Sequence, residues 1–204
     1  TLQSFLTNDL SRVGAGTAKE ICDNALIDPK KKPSDMSMQD AEKLINAIKN
    51  TKIMAPSTDC LSPIGEELIE KSLKKEINAE FYCAVSRPIF VYRGNPFQIE
   101  VGLAYGGNQS KEDTIALMRF ANRVPLLYQQ GACAITKSIV ATNWKSYGIQ
   151  QSNGALPSGP LTVLVHMSSV WVPFTSESKE ALAHYTEIIK EIKETAQYQY
   201  EDAI

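Results

Sequence analysis

The chain has 204 residues, of which 43% are hydrophobic and 22% charged, with a formal net charge of −2 at pH 7. This composition excludes wholesale disorder. The nearly neutral balance excludes a strongly basic nucleic-acid-binding protein, so any DNA contact must come from local patches. No segment approaches the ~20 consecutive apolar residues of a membrane-spanning helix. The chain starts at Thr1 without a methionine, and we expect it to be a piece of a longer protein.

The residues that most often bind metals are few and scattered along the chain. They are Cys22, Cys60, Cys83, Cys133, His166 and His184. A zinc site needs paired ligands at short spacing, so this pattern predicts no metal site. We expect four buried, reduced thiols in a cytoplasmic protein, because a free cysteine behaves as a small hydrophobe.

The first 80 residues have helical patterns. Thr17 and Glu20 have the spacing of a capping box after Gly14-Ala15-Gly16, which predicts a first helix. Ser37 is placed to cap a second helix, and Ser62-Pro63 to open a third. A basic loop, Lys30–Lys32, lies between the first two.

After about residue 80 the pattern changes to mixed helix and strand. Apolar residues alternate with Gln98, Glu100, Gly102 and Ala104 over 97–105, which predicts a strand with one apolar face. Further strands are predicted at 114–120 and 161–170, a helix at 132–141, and a long final helix from about Ser178. The chain is therefore predicted to be α+β, with a small helical domain over 1–80 and an α+β domain over 81–204, joined near residues 80–95.

Two segments could contact phosphate or nucleic acid. The glycine turn before Thr17 could bind phosphate with Lys19 and Lys30–Lys32, or it could be an ordinary helix–helix turn beside a solvated basic loop. In the segment Trp144–Tyr147, Trp144 and Tyr147 could stack on bases beside Lys145. Alternatively, both rings pack inside the protein and only Lys145 is solvated.

A third segment, Thr175–Lys179, places a lysine at the predicted start of the final helix. A cation is unfavourable there because a helix N-terminus is partly positive. Together with the hydroxyls of Thr175, Ser176 and Ser178, Lys179 is typical of an anion site. The alternative is an ion pair of Lys179 with Glu177 or Glu180. His166, inside an apolar strand, is predicted to be a core histidine with a satisfied side chain.

Four segments are similar to one family, and the likeness covers nearly the whole chain. They are residues 56–66, 118–128, 144–147 and 172–180, and they resemble the B subunit of archaeal DNA topoisomerase VI. The resemblance implies a helix-two-turn-helix domain over 1–80. It also implies a transducer domain over 81–204, with a mixed four-stranded sheet, as in other ATPases of the GHKL class.

The resemblance also implies roles for residues and partners. Lys179 matches the lysine that contacts the terminal phosphate of ATP, with Ser176 and Ser178 beside it. Lys19, Lys30–Lys32, Trp144, Lys145 and Tyr147 match regions that contact double-stranded DNA. The final helix matches the docking site of the A subunit in an A2B2 complex with paired B subunits.

The chemistry itself is expected to lie elsewhere. The chain has no Asp-x-Gly-x-Gly motif of the ATPase domain, and the family places the DNA-cleaving tyrosine on the A subunit. This chain alone is therefore expected to hold no catalytic residue, and ATP and Mg²⁺ to be bound mainly by another domain. A stand-alone nucleic-acid-binding protein and a subunit-joining module stay open as alternatives.

Overall fold

The computed structural model describes residues 1–54 and 57–201, and side chains through residue 197. The chain divides into two compact units, Thr1–Ser57 and Thr58–Ile204. The predicted boundary after residue 80 is displaced, because a helix assigned to the first domain packs on the sheet of the second unit. The α+β prediction is confirmed, with the helices of the first unit preceding a mixed sheet.

The first unit contains three helices, α1 (Leu2–Asp9), α2 (Ala15–Ala25) and α3 (Met38–Asn50), and a 3₁₀ turn at Pro33–Asp35. Its core includes the fully buried Leu2, Leu6 and Ile21. Ser37 caps α3 as predicted, and Asp40 completes a capping box with it.

The predicted capping box at Thr17 is wrong. The helix α2 begins at Ala15, its N-cap is Gly14, and no side chain caps it. Thr17 already lies within the first turn, so its hydroxyl is not at the position that accepts the free amides. A side chain at Gly14 or Gly16 would meet nothing within 4 Å, so neither glycine marks a close approach inside the described chain.

The second unit contains α4 (Glu66–Glu76), α5 (Ala134–Val140), α6 (Thr186–Glu201) and a mixed sheet. The strands are β1 (Phe81–Ser86), β2 (Phe90–Tyr92), β3 (Asn95–Tyr105), β4 (Ala116–Ala121), β5 (Val124–Pro125) and β6 (Leu161–Ser169). Their order is β1-β3-β6-β4-β5, with β2 also pairing β3. The pair β4–β6 is parallel and the other pairs are antiparallel.

The sheet has six strands where the resemblance implies four. Four of them have six or more residues, and the additional β2 and β5 have three and two. Three of these four, β3, β4 and β6, lie within two residues of the predicted strands. The predicted joint between the domains, residues 80–95, instead forms β1 and β2.

Both faces of β3 are covered, which contradicts the predicted polar face. On one side Phe97, Ile99, Val101 and Leu103 belong to the main core with residues of α5 and α6. On the other side α4 packs so closely at Gly102 that an added Cβ would lie 2.5 Å from Ile69 Cγ2. Glycine at this position therefore lets α4 approach the sheet.

Two helix starts differ from the prediction. Helix α4 begins at Glu66 with Gly65 as its N-cap, rather than at Ser62. Helix α6 begins at Thr186, rather than near Ser178. The residues before α6 form a separate loop, described below.

The cysteines are only partly as predicted. Cys22 and Cys133 are buried, Cys83 is half-buried and Cys60 is exposed. Cys60 lies in a turn with Asp59. None of these four cysteines forms a disulfide bond. No helix in the described part of the chain is long and apolar enough to cross a membrane.

Candidate functional site: the Lys179 hairpin and the basic surfaces

Lys179 lies at the tip of a short hairpin between β6 and α6, which we call the Lys179 hairpin (residues 171–185). Its two arms are joined by backbone hydrogen bonds. The Ala183 amide donates to the Pro173 carbonyl at 2.6 Å, and the Thr175 amide donates to the Ala181 carbonyl at 2.9 Å. At the tip the Lys179 amide donates to the Ser176 carbonyl at 3.2 Å.

The returning arm of the hairpin is anchored in the core. Ala181 and Leu182 are fully buried. The Leu182 carbonyl accepts a hydrogen bond of 2.9 Å from the amide of Ala134, the first residue of α5. Gln129 Nε2 donates to Glu180 Oε2 at 2.8 Å. The hairpin therefore projects an exposed tip from a fixed base.

The tip presents a cation and two hydroxyls to solvent. Residues 175–179 are exposed, and the hydroxyl oxygens of Ser176 and Ser178 are 2.7 Å apart. Lys179 takes part in none of the ion pairs among the described side chains. Among the described side chains, the predicted alternative of an ion pair between Lys179 and Glu177 or Glu180 is therefore not formed.

The helix-end argument for Lys179 is wrong, because α6 starts only at Thr186. Lys179 has a different peculiarity, a left-handed backbone with φ of +55°. This conformation is costly for any residue with a Cβ, by about 1–2 kcal/mol. The stability of the fold alone therefore does not favour a lysine at this position.

We expect Lys179→Gly to raise the free energy of unfolding by about 0.5–1 kcal/mol, because glycine adopts positive φ without strain but loses more chain entropy on folding. Lys179→Ala is the matched control, since it removes the ammonium and keeps the Cβ. Urea unfolding of both variants measures the difference. Equal midpoints for Gly and Ala would show that the backbone at Lys179 is not strained.

The basic loop of the first unit is only partly solvated. Lys30 and Lys32 are exposed, as is Lys19 on α2. Lys31 Nζ instead forms a 2.7 Å ion pair with Asp40 on the first turn of α3. The hydrogen bond from Lys31, with those from Ser37, lowers the pKa of Asp40 to about 2. Lys31 therefore serves the fold, which leaves Lys19, Lys30 and Lys32 as the predicted DNA contacts that stay exposed on this unit.

The prediction that Trp144 stacks on DNA bases is wrong. It is 0% exposed, and its Nε1–H donates to the Ile139 carbonyl at 2.7 Å. Tyr147 is half-buried and packs against the main core. Of the three predicted contact residues in this turn, Lys145 alone is exposed, and it lines a cleft of about 470 Å³. The alternative in which both rings pack and only the lysine is solvated is confirmed.

Glu100 and His166 form a buried pair that the sequence pattern does not predict. Both side chains are 0% exposed, and His166 Nδ1 lies 2.6 Å from Glu100 Oε2. The amide of Arg123 donates to His166 Nε2 at 3.0 Å, so this nitrogen is the acceptor and Nδ1 carries the proton that Glu100 accepts. The prediction that His166 is a satisfied core histidine is confirmed.

Glu100 also binds the chain that leads into α4. It accepts hydrogen bonds of 2.7 Å from the amides of Ile64 and Gly65, and one of 2.9 Å from the Ser86 hydroxyl. Burial, the largest influence, raises the pKa of Glu100, but these bonds and the one from His166 together lower it to about 2. The carboxylate thus ties β1, β3, β6 and the start of α4 together.

A family model described as "Topoisomerase VI B subunit, transducer" matches residues 56–200. The chain is 52% identical over 192 residues to a Methanococcoides burtonii protein named as the B subunit of type 2 DNA topoisomerase 6, covering 94% of this chain and 31% of that protein. A protein of the same name from Archaeoglobus fulgidus is 49% identical over 193 residues, covering 95% of this chain and 32% of that protein. The chain therefore spans about a third of the length of these relatives.

Among solved structures, the B subunit of DNA gyrase from Myxococcus xanthus matches 66% of this chain and 37% of its own, with a TM-score of 0.41 and 20% identity. The family match runs from the approach to α4 into the last turn of α6. Both the exposed tip of the Lys179 hairpin and the Glu100–His166 pair lie within it. The chain belongs to the family of topoisomerase VI B subunits, and residues 56–200 are its transducer region.

Proposed function

We propose that this chain is part of the ATPase subunit of a type IIB DNA topoisomerase. In this role it couples ATP binding and hydrolysis to double-strand cleavage and passage of DNA by a partner A subunit, giving relaxation and decatenation. Family membership supports the class of enzyme. The observation that carries the coupling role is Lys179, an exposed cation in a strained backbone at the tip of an anchored hairpin.

The residues of the tip fit one contact to a phosphate rather than a whole nucleotide site. Lys179 supplies a positive charge that no described carboxylate neutralises, and Ser176 and Ser178 supply hydroxyl donors. ATP, bound with Mg²⁺ on a domain outside these 204 residues, supplies the terminal phosphate. Lys179 makes a charge-assisted contact while that phosphate is present, and loses it after hydrolysis.

The remaining partners follow from the same proposal. Helix α6 docks the A subunit, and paired B subunits complete an A2B2 complex in the cytoplasm. The first unit is the helix-two-turn-helix domain and contacts double-stranded DNA through Lys19, Lys30 and Lys32. Lys145 gives the second unit a separate contact to DNA.

We expect Lys179→Ala in the intact complex to cut ATP hydrolysis and strand passage by about tenfold or more, since a charge-assisted hydrogen bond is worth roughly 1.5–3 kcal/mol. ADP affinity should be unchanged, because ADP lacks the terminal phosphate. Lys179→Arg should recover part of the activity, since a planar guanidinium replaces a point charge.

The matched control is Lys111→Ala, which removes another exposed lysine of the same unit. Steady-state hydrolysis and relaxation of supercoiled DNA are measured on the wild type and all three variants. Wild-type turnover in Lys179→Ala would contradict the coupling role and favour a module that only joins subunits or binds nucleic acid.

Charge reversal of Lys30 and Lys32 should lower the affinity of this chain for duplex DNA. It should also reduce the slope of log affinity against log salt, by about one counterion for each phosphate that is no longer neutralised. Lys31 is left unchanged because it pairs with Asp40. The control reverses Lys43 and Lys52, two exposed lysines of the same unit, and so keeps the same net charge. Identical salt slopes for both variants and the wild type would exclude Lys30 and Lys32 from the interface.

A further inference from the structure

The base of the Lys179 hairpin is held by a cluster of three aromatic rings and one arginine. We call Tyr92, Arg93, Trp171 and Tyr185 the Arg93 cluster. The Tyr185 ring lies 5.5 Å from that of Tyr92 and 6.2 Å from that of Trp171, centroid to centroid. The Arg93 guanidinium carbon lies 5.2 Å from the Tyr92 ring centre and 5.0 Å from that of Tyr185.

Arg93 occupies a turn position that favours other residues. Arg93 and Gly94 join β2 to β3 with φ of +50° and +77°. A two-residue hairpin turn with both φ values positive favours asparagine, aspartate or glycine. Arg93 takes part in no ion pair among the described side chains, so its main interactions there are with the two tyrosine faces.

Tyr185 connects two segments with different proposed tasks. It directly precedes Thr186, the first residue of α6, and it closes the returning arm of the Lys179 hairpin. Trp171 closes the outgoing arm, two residues after Ser169 at the end of β6, and its amide donates to the Ser169 hydroxyl at 3.1 Å. A displacement of the hairpin base would therefore also move the start of α6, because Tyr185 belongs to both.

A second contact holds α6 close to the end of β1. Arg87, which follows β1, forms a 2.9 Å ion pair with Glu191 on α6. The beginning of α6 is thus fixed at Tyr185 by the turn between β2 and β3, and nearly two helical turns later by Arg87.

We propose that Arg93 is a positioning residue, whose stacking on Tyr185 transmits the phosphate contact at Lys179 to α6. The proposal rests on the proposed function. Arg93 itself touches no nucleotide, so its loss should leave hydrolysis running while uncoupling it from strand passage. A cluster that only stabilises the fold would lower both activities in parallel.

The test uses the intact complex and counts strand passages per ATP hydrolysed. Arg93→Asn removes the guanidinium and keeps a residue that the left-handed turn accepts. We expect hydrolysis to fall by less than about twofold and strand passages per ATP to fall by about fivefold or more. Arg93→Lys, which keeps a cation over the rings, should recover most of the loss. The control is Arg12→Asn, at a left-handed arginine of the first unit with φ of +63°.

The outcomes separate this inference from the proposed function. Wild-type passages per ATP in Arg93→Asn, or a parallel loss of both activities with a lowered melting temperature, would overturn the role of Arg93. If Lys179→Ala retains wild-type turnover, the proposed function itself fails. Loss of both activities in Lys179→Ala, together with uncoupling in Arg93→Asn, supports both.

Discussion

Replacing Glu100 with glutamine should lower the free energy of unfolding of the second unit by about 1–3 kcal/mol, the usual cost of leaving a buried hydrogen-bond donor without an acceptor. Glutamine matches the shape of glutamate but has a single oxygen. His166 Nδ1, the amides of Ile64 and Gly65, and the Ser86 hydroxyl then compete for it. At least one buried donor is left unsatisfied, and the amide group of the glutamine faces another donor.

Urea unfolding followed by circular dichroism measures this loss. The matched control is Glu112→Gln, the same chemical change at an exposed position, which should stay within about 0.5 kcal/mol of the wild type. If both variants unfold at the wild-type midpoint, the bonds around Glu100 do not stabilise the fold.

The same carboxylate makes stability depend on pH in a defined direction. The pKa of Glu100 falls from 4.5 to about 2 in the folded chain. The ionised Glu100 carboxylate contributes roughly 3 kcal/mol to the free energy of unfolding. This contribution is fully present above pH 4.5 and is lost as the pH falls towards 2. The unfolding free energy of Glu100→Gln should therefore decline less steeply than that of the wild type between about pH 5 and pH 3.

Trp144→Ala should destabilise the second unit by about 3–5 kcal/mol, the range found when a large aromatic residue is removed from a core. The ring is fully buried in the main core, and its removal also leaves the Ile139 carbonyl without the Nε1–H donor. Trp144→Phe should lose less, because most of the buried ring area remains.

Lys145→Ala is the control from the same turn, because it removes an exposed side chain next to Trp144. Its melting temperature should match that of the wild type, whereas that of Trp144→Ala should fall markedly. A small loss of stability in Trp144→Ala, together with weakened DNA binding, would instead return Trp144 to the DNA interface.

The long elements are predicted well from the sequence, because their hydrophobic periods are regular. The predicted strand at 97–105 and helix at 132–141 lie within two residues of β3 and α5. The predicted helix starts are wrong where residues of a preceding turn have the pattern of a helix N-cap. Ser62-Pro63 and Ser178 both precede the true starts at Glu66 and Thr186.

The sequence predicts which residues form the candidate site but not how they are arranged. The motif around Lys179 is recognisable in the sequence, yet the backbone pairing that makes it a hairpin depends on Ala181 and Leu182 joining the core. The alternation of Glu100 with apolar residues predicts a solvent-facing carboxylate. Its burial depends on α4 covering that face at Gly102, a contact between segments far apart in sequence.

The position of β6 determines when the sheet can be completed during synthesis. β6 is the last strand in the described part of the chain, yet it lies between β3 and β4, antiparallel to β3 and parallel to β4. Until residues 161–169 have left the ribosome, the nascent chain holds two separate pieces of sheet, each with an unpaired hydrophobic edge. Such edges template pairing with other chains, and contacts of this sequence separation form slowly. Fragments of this chain that end before β6 should therefore aggregate rather than fold.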